Sequence, residues 1–220
     1  MDISTALSFV TQDRDWLKKI GIGALLAITG IGYIPLLGWA VEISRRVIHG
    51  ASEVLPDWSD FGRYITAGLK YFAVAIVWAL PLIILSLCVG VAAGALGAAA
   101  SQNSDSSTVP FILQICIGLI SLPYGIALGL LTPAAAGVLA ATDSLSDALN
   151  PANAFKLVRA NLGGYVLYLV IVGVLGVVGG IVGTIACLIG IFVATAYVTA
   201  VSGHLIGQAY AKAKANMPAA

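Results

Sequence analysis

The sequence predicts an all-α protein of the membrane: a polytopic transmembrane helix bundle with a broken or hairpin first helix and two interfacial amphipathic helices. Three observations predict it. Of the 220 residues, 60% are hydrophobic and 10% charged, whereas soluble domains carry about 25% charged residues. The charge-free apolar runs Tyr71 to Ala100, Val109 to Ala141 and Leu162 to Gly203 each reach the roughly 20 residues that cross a bilayer as helix. The basic residues sit in short patches between these runs, the pattern that orients membrane proteins, because short cytoplasmic loops collect Lys and Arg.

The chain opens "MDISTALSFVTQDRDWLKKIG", with an acid and no basic leader, so no removable signal peptide is expected. The next stretch, "IGIGALLAITGIGYIPLLGWAVEISRRVIHG", is interrupted by Gly30, Gly32 and Pro35. It reads as one kinked helix or as two half-length helices. Lys18 and Lys19 flank it on one end and Arg45 and Arg46 on the other. A single crossing would put basic residues on both faces, so the hairpin, which keeps them together, is preferred.

In "LPDWSDFGRYITAGLK", Pro56 suits the first turn of a helix. Trp58, Phe61, Ile65 and Leu69 follow at helical spacing, while Asp57, Asp60, Arg63 and Lys70 point elsewhere, which predicts a helix lying in the headgroup plane. A span follows from Tyr71, and "SQNSDSSTVP", without Lys or Arg, is expected on the far side. After the return span the device recurs. Asn150 caps, Pro151 starts, Phe155, Val158 and Leu162 line an apolar face, and Lys156 and Arg159 a polar one. "FGRYITAGLKY" and "FKLVRANLGGY" each place Tyr ten residues after Phe, a weak internal repeat (56–100 and 151–185) inside one domain, 1–220. Leu162 to Tyr210 is long enough for two spans with a turn near Gly179 to Gly190, and Lys212 and Lys214 end it. Every basic residue then falls on one side, with both termini cytoplasmic.

Candidate chemistry is sparse. Ion-coupled transporters place ionisable groups at membrane depth, and the spans here offer His204 besides thiols and tyrosines. Cys88, Cys116 and Cys187 lie inside apolar runs and read as buried small hydrophobes. His49 precedes Gly50 at an expected helix end, where an imidazole meets the last carbonyls. Asp143 and Asp147, one turn apart, lack a third ligand and read as a solvated helix end. No catalytic residue, metal site or cofactor is assigned, and the net charge of +1 argues against nucleic acid as a partner. Glu42, Arg45 and Arg46 stand at helical spacing as an ion pair at the rim. Alternatively Arg45, Arg46, Arg63 and Lys70 form a pocket for anionic lipid heads, and Trp58, Lys156 and Arg159 are further interface residues. Gly90 and Gly94, Gly125 and Gly129, Gly176 and Gly180, and Gly179 and Gly183 fall four apart. That spacing lets helices approach closely in lipid, within the chain or between subunits.

The segments "DRDWLKKIGIGALL", "IPLLGWAVEISRRVIHG", "LPDWSDFGRYITAGLK" and "CLIGIFVATAYVTAVSGHLIGQAY" resemble the family known as domain of unknown function 4013, over almost the whole chain. The resemblance implies a prokaryotic multi-pass protein of the cytoplasmic (inner) membrane and supplies no activity. The scarcity of ionisable groups in the spans and the glycines four apart lead to the expectation of a non-enzymatic accessory or scaffolding subunit that contacts membrane lipids and other membrane subunits or copies of itself. The alternative is a passive channel or facilitator for a small neutral solute or lipid. A membrane lipid enzyme would need Asp143, Asp147, His204 and Arg46 brought together.

Overall fold

The computed structural model describes residues 1–100, 108–185 and 189–217; residues 101–107 of the expected far-side loop, and Cys187, lie outside the described residues. Among the described residues the structure is helical, without strands. In chain order the helices are α1 (Ile3–Gln12), α2 (Trp16–Ile28), α3 (Tyr33–Ile48), α4 (Phe61–Ala100), α5 (Thr108–Thr142), α6 (Leu145–Leu149), α7 (Pro151–Ala160), α8 (Leu162–Ile185) and α9 (Ile189–Asn216). Helices α4, α5, α8 and α9 are long and apolar enough to cross a membrane. The chain is an all-α polytopic membrane protein. It forms two compact units, Met1–Val74 with Leu130–Ala220, and Ala75–Gly129.

The first apolar stretch is two helices and not one. Helix α2 ends at Ile28 and α3 starts at Tyr33, with Gly30 between them at φ +70°, a left-handed conformation that glycine adopts without steric cost. Both open ends return to one loop. Lys19 at the start of α2 donates to the Leu55 carbonyl (2.9 Å), and Arg46 near the end of α3 donates to that of Glu53 (3.0 Å). The hairpin is therefore closed, as the basic flanks require. It packs on α9, where Gly203 and Gly207 meet Ala40, Ser44 and Val47 of α3 so tightly that an added Cβ would strike backbone. The Ser44 hydroxyl donates to the Gly203 carbonyl across this contact (2.7 Å). Its core gathers Trp39, Leu36, Ile43, Tyr64, Ala196 and Ala200.

The surface helix expected from Pro56 does not form. Residues 51–60 are a loop, and α4 begins at Phe61 and runs without a break into the apolar run, through Pro81. The reason is tertiary. Pro56 is buried and its carbonyl accepts from the Trp39 indole (3.0 Å), Leu55 is 2% exposed, and Trp58 stacks on Trp39 with centroids 5.0 Å apart. Trp58 thus turns into the protein, away from the headgroup plane. On α4 the buried face is Tyr64, Ala67, Gly68 and Val74, and Phe61, Ile65 and Leu69 face outward. In lipid an apolar outer face is what a span requires.

The second surface helix does form, as α7, with the Asn150 side chain accepting from the Ala152 amide (3.0 Å) and Pro151 at its start. Its face is corrected, however. Ala154, Leu157 and Val158 are buried, whereas Phe155 and Leu162 are more than half exposed. Asn161 breaks the chain between α7 and α8, and its side chain donates to the Ala209 carbonyl (3.1 Å), fixing the corner to α9. The two proposed repeat copies differ here, since one runs continuously into its span and the other bends. In the unit Ala75–Gly129, α4 and α5 are joined by the Tyr124 hydroxyl donating to the Trp78 carbonyl (2.6 Å). Cys88 and Cys116, expected buried, are exposed there on apolar helices.

Candidate functional site

Helix α3 sets Glu42, Arg45 and Arg46 on one face at i, i+3 and i+4. Arg45 Nη1 and Arg46 Nε each lie 3.5 Å from the Glu42 carboxylate. The close crossing of α3 and α4 at Gly38 and Gly68, where a Cβ on either would collide with the other helix's backbone, brings Arg63 Nη2 to 3.1 Å from Glu42 Oε2. The Glu42 side chain is 9% exposed. Three guanidinium groups thus share one nearly buried carboxylate.

Helix α5 adds the second carboxylate. Asp143, one residue past its end, takes φ +56°, a left-handed cap that Asp tolerates better than most side chains. That turn aims its carboxylate at Lys70 Nζ (3.0 Å) and Arg45 Nη2 (3.4 Å), while its carbonyl accepts from Lys70 (2.9 Å) and the Ala140 carbonyl from Arg45 Nε (2.9 Å). The hydrogen bond from Lys70 holds the Asp143 carboxyl below its usual range against partial burial, with Arg45 reinforcing it. Its contribution to stability is present above the ordinary carboxylate pKa and is lost as pH falls through the lowered one. Four cations surround two carboxylates, leaving two positive charges. Arg45 is engaged on three sides, so the surplus lies at Arg46 and Arg63, whose side chains are 29% and 48% exposed.

A second ion cluster fastens the hairpin mouth. Lys19 Nζ lies 2.6 Å from Asp13 and 3.1 Å from Asp57, and its carbonyl accepts from the Trp58 indole (2.9 Å). Burial alone would lower the Lys19 pKa, but the hydrogen bonds to Asp13 and Asp57 outweigh it and raise it above 10.5. A raised amine contributes stability that is complete below its unfolded pKa and disappears as pH rises through the folded one. Tryptophan fluorescence is therefore expected to stay constant from neutral pH to about 10 and to change above that as the loop around Trp58 releases. Lys19→Met should abolish the alkaline transition.

The family model described as "Protein of unknown function (DUF4013)" matches residues 21–189. The chain belongs to this family. No curated protein and no solved structure matches it. The DUF4013 match takes in every member of the Glu42 cluster and leaves Asp13 and Lys19 of the second cluster outside it.

Other residues singled out in the sequence are placed apart from the cluster, except His49, which meets the Arg45 backbone. Lys156 lines a cleft of about 350 Å³ with Asp147, Asn153 and Lys214, and Arg159 is exposed on α7. Asp143 and Asp147 accordingly serve different neighbours. His204 is buried, its ring 4.5 Å from that of Phe9 and its Nδ1 3.2 Å from Gln208 Nε2. His49 Nδ1 lies 2.7 Å from the Arg45 carbonyl, at the helix end as expected. Among the described residues no group of His, Cys, Asp and Glu could hold a metal ion. A Cβ at Gly90, Gly94, Gly125, Gly176 or Gly180 would meet nothing within 4 Å, whereas Gly179 and Gly183 pack on Ala194 and Ile191 of α9; Gly129 is half-buried. The close-packing pair missed in the sequence is Gly203 and Gly207, although "GHLIG" carries the same spacing.

Proposed function

We propose that the chain is a non-enzymatic integral membrane protein, an accessory or scaffolding subunit, that holds anionic lipid headgroups on a basic rim at the cytoplasmic face of a prokaryotic inner membrane. The surplus of positive charge at Arg46 and Arg63, on a rim pinned by a nearly buried Glu42, carries this reading. Such a rim attracts anionic lipid because each basic residue near the surface adds about 1 kcal/mol. Two further observations support it. Of the four residues a lipid enzyme would need together, Asp147 and His204 have other neighbours, apart from the cluster that holds Asp143 and Arg46. The open glycines Gly90, Gly94, Gly125, Gly176 and Gly180 leave room for the helix of another subunit or another copy.

Native mass spectrometry of protein extracted in mild detergent tests both halves. Replacing Arg46 and Arg63 together by Ala should remove about 2 kcal/mol of headgroup attraction and so weaken retention of phosphatidylglycerol roughly 30-fold. Equal lipid retention by the double variant would sink the headgroup reading. A single monomeric species without a co-purifying subunit would sink the accessory one.

A further inference from the structure

Membrane hydrocarbon accepts irregular backbone only where its polar groups are already paired. The amides of the turn between α2 and α3 meet that condition without water. Thr29, Gly30, Ile31, Tyr33 and Ile34 amides donate to the carbonyls of Leu26, Ala27, Thr29, Gly30 and Ile31, and the Gly32 amide donates to the Thr29 hydroxyl (3.0 Å). Every amide from 29 to 34 has an acceptor. Large apolar side chains around this turn are uncovered, with Leu25 66% exposed, Ile28 50% and Ile31 81%, and the Thr29 hydroxyl within it is paired, donating to the Leu26 carbonyl (2.8 Å).

Depth follows from length. From Lys19 to Ile28 along α2, and from Arg45 back to Tyr33 along α3, the helices descend about 14 and 18 Å at 1.5 Å per residue. One leaflet of the hydrocarbon core is about 15 Å thick, half of roughly 30 Å. The ion pairs of Lys19 and Arg45 fix the upper level, so the tip ends near the middle of the bilayer.

We infer that the α2–α3 hairpin is a one-sided wedge in the membrane, with its turn in acyl chains, and that the protein favours bilayers convex on its basic side. Two helices then occupy area in the leaflet beside the basic end and none in the leaflet opposite. The occupant of the exposed α2 face is lipid acyl chain. This inference stands on the hairpin and is independent of what binds at the arginine rim.

The test uses the full chain in giant vesicles of phosphatidylcholine and phosphatidylglycerol. With Cys88, Cys116 and Cys187 replaced by Ala, Met217→Cys, near the basic end, is labelled with a membrane-impermeant dye added outside, so that only molecules with that end outward are seen. Nanotubes are then pulled from the vesicles. Labelled protein should be several-fold denser in the tube than in the parent vesicle relative to a lipid dye, increasingly so as the tube narrows. A ratio of one or below at all radii overturns the inference. Independently, a fluorophore on Ile31→Cys should be quenched most by lipids labelled near the acyl-chain ends. Strongest quenching by a water-soluble quencher overturns it as well.

Discussion

Glu42→Gln is expected to destabilise the protein by about 3 kcal/mol, the scale of removing one partner from a buried ion pair. The amide preserves the shape of the side chain but leaves Arg45, Arg46 and Arg63 facing one another around a site that is 9% exposed. Arg45 retains Asp143 and the Ala140 carbonyl, so the damage concentrates on the crossing of α3 with α4. The effect is read as a lowered thermal midpoint in detergent. Added salt should recover part of it by screening the guanidinium repulsion. A change under about 0.5 kcal/mol, the range of ordinary surface substitutions, would mean that the cluster does not hold these helices.

Gly38→Ala should be comparably damaging, at about 3 kcal/mol, the upper end of the usual cost of overpacking, by a different mechanism. The added methyl would collide with the Tyr64 carbonyl and the Gly68 amide, and backbone cannot rotate aside as a side chain can. Helix α4 would have to withdraw from α3, taking Arg63 away from Glu42. Gly176→Ala is the matched control, because its Cβ meets nothing within 4 Å and alanine is about 1 kcal/mol better than glycine in a helix. The control should be neutral or stabilising in the monomer. Equal loss in both variants, compared by unfolding in the same detergent, would show that crossing geometry is not the cause.

These two positions also mark how far the sequence could be read. The Glu42–Arg45–Arg46 face followed from helical spacing alone, and the hairpin followed from basic flanks that a single crossing would have separated. Arg63 and Lys70 were grouped with Arg45 and Arg46 only as a pocket for lipid heads, and their pairing with Glu42 and Asp143 depends on a helix crossing that spacing does not reveal. Asp143 was visible only as half of an acidic pair, since its left-handed backbone at φ +56° leaves no trace in residue spacing. The loop at Pro56 was misread as a helix because Trp58, Phe61, Ile65 and Leu69 do recur at helical spacing. What overrode that pattern was the stack of Trp58 on Trp39 and the Trp39 bond to the Pro56 carbonyl, contacts between residues about twenty apart. The glycines show the same limit: spacing is shared by pairs that pack and pairs that do not, and only the neighbouring helix tells them apart.

The tight seam between α3 and α9, at Gly203 and Gly207, bears on how the protein is made. Helix α9 leaves the ribosome roughly 140 residues after α3, an interval on the order of ten seconds at typical rates of synthesis. Throughout that interval the hairpin exists without the surface that covers Ala40, Ser44 and Val47. Its internally paired turn and its charged mouth must hold it at the right depth alone, so insertion of the early segment and locking of the finished bundle are separate events, and a lesion at Gly203 would strike the second while sparing the first.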